Sequence, residues 1–492
     1  MLFTDFKNRI AIMRNKTLAV TMFATVATLA GCDVVDPTNV TNPTVTEETF
    51  LGTPNAAASW ARGVERQLAV TVDEVITGVE VVSDNMFNNR TLFSKVFDIP
   101  QIEASDFDVR NIQAEVHRLR AMANQGLTVV VPGDDKATAE VSAQLYFARG
   151  YAYLLGGELF VGLPAEAGGP VVAPAQHLAL AVADFEQARS LSGDATLSAA
   201  ALLGVARAQY AAGNRAAAMA AATQVKASNA SLIRWAQYDN VDGPNNAMQF
   251  AIFESGQDEF QPLPRLDFLF PKYYSETAGD QSPIAVLKGE EAYLILAEGY
   301  VAQGDVTAAR TELVSLLDLV DSRPTAQIDD RGQQRGRRGG TWIYPNTSNI
   351  MVKASPTAEA RAGLVLTRET GLVTVPIVSG TSVTDAMLQG ATTVDEMLYL
   401  VYLMRQEIFV AEGRRMTDLG IRLPVALDEA LVNPNVDVSD AALTVQMPNF
   451  IPQQYQLDGF TYVDGDLLAV IMHDMNAVLV TNKSSSEVVP FH

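Results

Sequence analysis

The chain has 492 residues, of which 48% are hydrophobic and 19% charged, and its formal net charge at pH 7 is −22. This length is enough for two or three average domains or for one large domain, and the composition is that of a folded chain with a sizeable core. The strong negative charge excludes sequence-independent binding to nucleic acid, which requires a basic surface, and also broad adhesion to anionic lipid.

The N-terminal segment has the order of features found in exported proteins. Residues 1–16 carry four basic side chains, and residues 17–30 form a short apolar run. Such a run indicates a secretory signal and is short for a transmembrane helix, although a membrane anchor is the alternative. Leu29-Ala30-Gly31-Cys32 resembles a bacterial lipobox, and Cys32 is the only cysteine in the chain. We therefore expect a signal peptide over 1–31, a diacylglycerol thioether on Cys32 and a lipidated, Pro/Thr-rich tether over 32–49.

Most of the remaining chain is predicted to be helical. Apolar residues recur at helical spacing over 137–155, 195–227 and 287–320. Two regions break this rhythm, 229–286 and 321–392, where proline, glycine, asparagine and β-branched residues predict loops and short strands. Loop regions of this length inside a compact fold are usually functional or disordered.

The second and third helical stretches share a pattern. Gly213 and Gly304 divide each stretch into two helices, and an alanine follows five residues after each glycine, at Ala218 and Ala309. Small residues allow paired helices to approach closely, and the pattern resembles the tetratricopeptide repeat; ordinary antiparallel helix pairs are the alternative. We predict a single, mostly α domain over 50–492, built on tetratricopeptide-like helical hairpins with loop-rich, short-strand insertions.

The sequence lacks the motifs of common catalytic sites. Its four histidines have no metal-ligand spacing, and it contains neither a Gly-x-Ser-x-Gly nor a Gly-x-x-x-x-Gly-Lys motif. The interpretation that follows is a protein without catalytic residues, metal or cofactor. A glycoside hydrolase stays open as an alternative, because its two carboxylates need not lie near each other in sequence.

A dense group of charges follows an apolar helix. Arg405, Glu412, Arg415 and Asp418 occur within RQEIFVAEGRRMTDLGIRLP, residues 405–424. Arg405 and Glu412 fall on the apolar stripe of that helix, and Glu412, Arg415 and Asp418 are spaced so that consecutive contacts form if the helix persists. Because a charge on a packing face is costly unless it is paired, we predict a partly buried structural ion ladder, with a ligand site as the alternative.

Four segments resemble the SusD/RagB family, in the order that the family has them. They are 143–164, 282–305, the charged segment with Glu412-Gly413, Arg415 and Asp418-Leu419, and NFIPQQ at 449–454. The lipobox is shared as well. The sequence departs from the family pattern at two positions: Glu407 lies five and not four residues before Glu412, and Lys288 stands where the family has arginine.

The resemblance implies both a fold and a function. Members of the family are outer-membrane lipoproteins with a tetratricopeptide-like scaffold, and they cap a TonB-dependent barrel, the SusC-like transporter. They bind nutrients, often oligosaccharides, and pass them to the barrel without cleaving them. Two other classes remain as alternatives, a surface-anchored glycoside hydrolase or other lipoprotein enzyme, and an envelope scaffold that binds no ligand.

Three aromatic and polar segments are candidates for ligand contact. Sugar recognition uses aromatic faces for C–H surfaces and amide or carboxylate groups for hydroxyls. The candidate residues are Asp84, Asn85, Asn89, Arg90, Tyr273, Tyr274, Trp342 and Tyr344. The alternative is that Tyr273, Tyr274 and Trp342 only pack the loops onto the scaffold.

Overall fold

The chain divides into two compact units, Met1–Ala56 and Ala57–His492. The computed structural model describes residues 47–88, 95–254, 260–275, 279–329, 331, 344–345, 347–368, 371–452, 457–463, 465–488 and 491. Cys32 and the predicted signal peptide lie outside these residues, as does the tether up to residue 46. In the first unit, the helix Glu47–Leu51 ends in a turn where the Thr53 N–H donates to the Phe50 carbonyl at 3.0 Å.

Long helices dominate the second unit. They are α1 (Ala56–Val82), α2 (Phe107–Gln125), α3 (Ala139–Leu159), α4 (Pro174–Leu191), α5 (Ala195–Ala211), α6 (Arg215–Asn229), α7 (Glu290–Val301), α8 (Val306–Asp321) and α9 (Val394–Ile408). Shorter α-helices span Lys95–Asp98, Val131–Gly133, Ala247–Gln249, Asp385–Gly390, Arg415–Asp418, Leu427–Val432 and Met475–Thr481. Gly126–Val130 and Phe250–Glu254 are π-helical, and Pro264–Tyr273 and Ala441–Leu443 are 3₁₀-helical. Within the described ranges, every helix falls short of the length and hydropathy that a membrane span needs.

The helices pack as antiparallel hairpins. Gly213 joins α5 to α6 with φ 75°, and Gly304 joins α7 to α8 with φ 78°, a left-handed conformation that favours glycine. Ala218 and Ala309 are fully buried, and the two helices of each pair pack against each other. Both predicted breaks and both predicted small residues are therefore confirmed. The pair α3–α4 lies upstream and packs against α5.

Short strands connect and flank the hairpins. They are β1 (Met86–Asn88), β2 (Leu163–Pro164), β3 (Val171–Val172), β4 (Ile233–Ala236), β5 (Phe260–Pro262), β6 (Ile284–Lys288), β7 (Thr325–Asp329), β8 (Met351–Lys353), β9 (Ala360–Arg361), β10 (Leu372–Pro376), β11 (Phe460–Thr461) and β12 (Leu468–Ile471). Four antiparallel pairs form, β1–β5, β2–β3, β4–β6 and β7–β10. A four-stranded sheet has the order β11-β12-β8-β9, with β12 and β8 parallel.

The two regions predicted as insertions contain much of this strand structure. Residues 229–286 hold β4, β5 and the start of β6, and residues 321–392 hold β7 to β10. Beside the helical scaffold, the four-stranded sheet has its own buried cluster, which includes Val352, Phe460 and Ile471. The predicted fold class, mostly α with helical hairpins and short-strand insertions, is confirmed.

Candidate functional site

The charged segment after α9 is not a continuous helix. A capping box of Thr393 and Glu396 starts α9, and the helix ends at Ile408. Ala411 and Gly413 then adopt φ values of 58° and 71°, after which a new short helix begins at Arg415. The predicted ladder required one helix through residue 418, so its consecutive contacts are replaced by contacts to distant parts of the chain.

Arg415 forms a buried ion pair with Asp84, which follows the C-terminus of α1. The Arg415 Nε and Nη2 atoms donate to the two carboxylate oxygens at 2.5 and 3.0 Å. Both residues are 1% exposed, and the Gln406 amide donates a further bond to Asp84 at 3.0 Å. This geometry joins the segment after α9 to the end of α1 through a two-pronged, charge-assisted contact.

Glu412 pairs with lysines from two other elements. Its carboxylate accepts a bond from Lys288 on β6 at 2.7 Å and another from Lys272 on the 3₁₀ helix. Burial lowers the pKa of Lys272 to about 8, although the Glu412 charge opposes this effect. Lys288 thus supplies a buried cation for Glu412.

The turn between α9 and the short helix is held by a buried glutamate of α1. Glu80 accepts bonds from the Gly413 backbone N–H at 2.6 Å and from the Asn85 amide at 2.8 Å. Burial raises the pKa of Glu80 to about 7. Tyr273 contributes to the same turn, because its hydroxyl donates to the Ala411 carbonyl at 2.8 Å.

The fourth member of the predicted ladder, Arg405, binds Asp418. Its Nε atom lies 2.8 Å from each carboxylate oxygen of Asp418. Two buried glutamates on α7, Glu291 and Glu298, are attracted electrostatically by Arg405. Burial raises the pKa of both glutamates to about 7 despite that attraction. Arg405 is therefore buried and ion-paired, and its partner Asp418 is half-buried.

The predicted ligand residues differ in how far they are exposed to solvent. Asp84, Asn85 and Tyr273 are at most 1% exposed, and their polar groups are bound by protein atoms as described above. Tyr344 is also buried, in the cluster of the four-stranded sheet. Tyr274 is half-buried. Asn89, Arg90 and Trp342 lie outside the described residues.

The segments that contain the predicted ligand residues nevertheless lie close together in the structure. Strand β1 begins just after Asn85 and pairs with β5, which leads directly into the 3₁₀ helix that ends at Tyr273. Phe87 of β1 lies with its ring centroid 6.5 Å from that of Tyr344, and both rings contact Phe460 with a centroid distance of 5.8 Å. Tyr273 and Tyr344 are thus buried in contacts within the protein, as the packing alternative stated for Tyr273 requires, whereas Tyr274 is half-buried.

A polar groove lies elsewhere, where α2, α3, α4 and the β2–β3 connection meet. Its volume is about 600 Å³, which lies in the range of small-molecule clefts. Its lining includes one aromatic ring, three amides and one charge of each sign, namely Tyr153, Asn124, Gln125, Gln176, Arg120 and Glu166. No motif links these residues in sequence, so the groove was missed by sequence analysis; the only available signal was Tyr153 within the family-like segment 143–164.

Side chains in the walls of the groove are held by contacts with neighbouring elements. The Arg120 guanidinium donates to the Pro164 carbonyl and so ties α2 to β2. Arg149 donates to the Asn124 amide oxygen at 2.8 Å. Tyr153 is half-buried, and burial raises the pKa of its hydroxyl, so this group is neutral and can donate at physiological pH. The groove thus offers an aromatic surface together with donors and acceptors in one place.

This chain is similar to known proteins in its structure but not detectably in its sequence. No protein-family model and no curated protein sequence matches the chain. Crystal structures of SusD superfamily proteins do match. One from Bacteroides fragilis is 12% identical with a TM-score of 0.51, covering 79% of this chain and 100% of that one. One from Parabacteroides distasonis is 12% identical with a TM-score of 0.51, covering 78% of this chain and 98% of that one. One from Bacteroides vulgatus is 14% identical with a TM-score of 0.50, covering 77% of this chain and 97% of that one. The chain therefore has the SusD-like fold that its sequence motifs predicted.

Proposed function

We propose that this chain is a lipoprotein of the outer membrane that binds a nutrient at the cell surface. It is anchored through Cys32, and it delivers the nutrient to a SusC-like TonB-dependent transporter without cleaving it. The SusD-like fold and the lipobox support this proposal together. The nutrient class that fits best is an oligosaccharide.

The observation that carries ligand binding is the composition of the polar groove. A sugar ring presents C–H surface on its faces and hydroxyls around its edge, so it needs an aromatic side chain flanked by amides and charged groups. Tyr153, Asn124, Gln125 and Gln176 supply this set in a groove of about 600 Å³. We therefore assign the groove, and not the buried residues Asp84 and Asn85, as the ligand site.

Replacing Tyr153 by alanine is expected to weaken oligosaccharide binding at least tenfold, about 1.4 kcal/mol, because the aromatic surface of the groove is lost. The measurement is calorimetric titration of the full chain, purified in detergent, with xylo-, gluco- and manno-oligosaccharides. Tyr146→Ala is the matched control, since Tyr146 is also a half-buried tyrosine of α3 but does not line the groove.

Three outcomes would contradict this proposal. If Tyr274→Ala abolishes binding while Tyr153→Ala leaves it unchanged, the ligand binds at the converging loop segments and not in the groove. If chromatography of the incubated oligosaccharides shows shorter products, the protein is an enzyme of the glycoside hydrolase class. An absence of binding to every member of a broad glycan and peptide panel would favour the scaffold alternative.

The anchoring part of the proposal has its own test. Cys32→Ser is expected to move the protein from the outer-membrane fraction to the soluble fraction, because the thiol that carries the lipid is lost. Wild-type protein, extracted from membranes with mild detergent, is expected to copurify with a TonB-dependent barrel. Unchanged membrane association of Cys32→Ser would argue against lipidation, and purification without any barrel would argue against the transporter as partner.

A further inference from the structure

The polar groove contains a buried cation that lacks a counterion. Six arginines are buried in the described ranges of the chain. Five of them form ion pairs with N–O distances of 2.5 to 3.1 Å, namely Arg207–Glu158, Arg265–Asp474, Arg405–Asp418, Arg414–Glu291 and Arg415–Asp84. The sixth, Arg120 of α2, has no carboxylate within ion-pair distance in the same ranges. Because buried charges in proteins are normally paired, Arg120 is the exception that needs an explanation.

Arg120 is held in place by one hydrogen bond and keeps further donors. Its Nη1 atom donates to the Pro164 carbonyl. Its Nε and Nη2 atoms have no partner among the described residues, and they are not sealed off from solvent. Since Arg120 lines the groove and is otherwise buried, the surface that these atoms expose faces the groove. A ligand in the groove can therefore accept hydrogen bonds from them.

The acids near Arg120 leave its charge uncompensated. Burial lowers the pKa of Arg120, and the attraction of nearby acidic groups does not reverse this effect. Glu429 does not line the groove, and its carboxylate accepts bonds from the amides of Gln113 at 3.1 Å and Asn433 at 2.8 Å. Glu166 is the one carboxylate in the lining; it is exposed on the β2–β3 connection and lies beyond ion-pair distance of Arg120.

The surroundings of Arg120 suit a sugar that carries an acid group. Tyr153 interacts electrostatically with both Arg120 and Glu166, so the aromatic ring and the two charges share one part of the groove. Three amides complete the lining, those of Asn124, Gln125 and Gln176. A uronic acid presents C–H surface to an aromatic ring, hydroxyls to amides, and a carboxylate that matches the planar fork of a guanidinium.

We propose that the groove selects oligosaccharides that carry carboxylate groups, the class that contains uronic acids. This inference rests on the assignment of the groove as the ligand site. Arg120 is the specificity-determining residue, because it binds one ligand carboxylate through Nε and Nη2 in a charge-assisted contact. Tyr153 packs against the sugar ring, and Glu166 accepts hydrogen bonds from ligand hydroxyls at the rim. The ligand thus supplies the counterion that Arg120 lacks.

The test compares each acidic oligosaccharide with its own neutral form. Tetragalacturonate and its carboxyl-reduced counterpart have the same length and linkage, and differ only in that each carboxylate has become a hydroxymethyl group. Both are titrated calorimetrically into the full chain in detergent at constant ionic strength, as are the matching pairs made from oligomers of glucuronic and mannuronic acid. At least one acid is expected to bind at least about tenfold more tightly than its neutral form.

Two variants are expected to change this preference in opposite directions. Arg120→Gln should bring the ratio of the two affinities close to one, and glutamine can still donate to the Pro164 carbonyl. Glu166→Gln should increase the ratio by about two- to fivefold, because a like charge at the exposed rim is removed. Arg310→Gln is the matched control: Arg310 is half-buried and donates to two backbone carbonyls, but it lies outside the groove, so the ratio should not change.

The inference and the proposed function can fail separately. Wild-type protein that binds acidic and neutral forms equally, or Arg120→Gln that keeps the full preference, overturns the inference while the groove remains the ligand site. Tetraglutamate bound as tightly as the acidic sugars also overturns it, since charge alone would then be recognised. If no oligosaccharide binds, the proposed function fails and the inference fails with it. Should Arg120→Gln not fold, the wild-type comparison and the Glu166→Gln titration decide.

Discussion

Replacing Arg415 by alanine is expected to destabilise the folded state by roughly 3–5 kcal/mol, because the change leaves the carboxylate of Asp84 buried without its cation. Arg415 and Asp84 are each 1% exposed, so solvent cannot replace the lost partner. A loss of this size is a large fraction of the stability of a typical domain. The measurement is urea-induced unfolding of the full chain, followed by circular dichroism.

Two companion variants separate the buried pair from a general effect of losing an arginine. Arg118→Ala removes an arginine whose side chain is 54% exposed, so solvent screens its pair with the half-buried Glu115 and the change should cost less than about 1 kcal/mol. The double variant Asp84→Leu with Arg415→Met should recover part of the loss, since no charge is then stranded. If Arg415→Ala unfolds at the same urea concentration as wild type but no longer binds ligand, the structural role is refuted.

The helical framework could be predicted because its signals are local. A glycine that ends one helix and an alanine five residues later describe a hairpin within a few residues, and the turns at Gly213 and Gly304 adopt the left-handed conformation that such a signal implies. Hydrophobic periodicity likewise placed α3 and α9. These features depend on neighbours in sequence, which a pattern can show.

The partners of the charged segment could not be predicted because they lie far away in sequence. Asp84 is 331 residues from Arg415, and Lys288 is 124 residues from Glu412. The break in the helix also lacked a clear signal, since Ala411 takes a positive φ although it is not glycine. Sequence spacing therefore identified which residues are buried and charged, but not which ones pair.

The same limitation explains why the polar groove could not be predicted from the sequence. The polar groove takes its lining from α2, α3, α4 and the segment that joins β2 to β3. Each side chain is unremarkable in its own stretch, and only tertiary packing brings the set together. Candidate sites of this kind depend on topology and not on motifs.

Converting Glu298 to glutamine is expected to change the pH dependence of stability. Glu298 is 1% exposed, and burial raises its pKa from 4.5 to about 7. In the unfolded chain the group loses its proton near pH 4.5, whereas the folded protein holds the proton until about pH 7. The folded state therefore binds more protons between these values, so the stabilisation from protonated Glu298 is complete below pH 4.5 and is lost as the pH rises through 7.

The size of this effect follows from the shift of the pKa. The rise of the Glu298 pKa from 4.5 to about 7 corresponds to roughly 3 kcal/mol of stability, most of which is lost between pH 5 and pH 8. Glutamine cannot titrate, and its carbonyl can still accept the bond that the Tyr210 hydroxyl now donates at 2.7 Å. Relative to wild type, Glu298→Gln should therefore gain about 2–3 kcal/mol of stability on going from pH 5 to pH 8.

The comparison is made by urea unfolding of both proteins at several pH values across that range. Wild type should lose stability more steeply than the variant, although both retain a slope, because Glu80 and Glu291 also have pKa values raised to about 7. Glu186→Gln serves as control, since Glu186 pairs with Arg189 at the surface and should leave the slope unchanged. Parallel profiles for wild type and Glu298→Gln would contradict the prediction. They would mean that Glu298 has the same protonation state in the folded and unfolded protein across this pH range. The attraction of Arg405 for the Glu298 carboxylate would then have to outweigh the effect of burial.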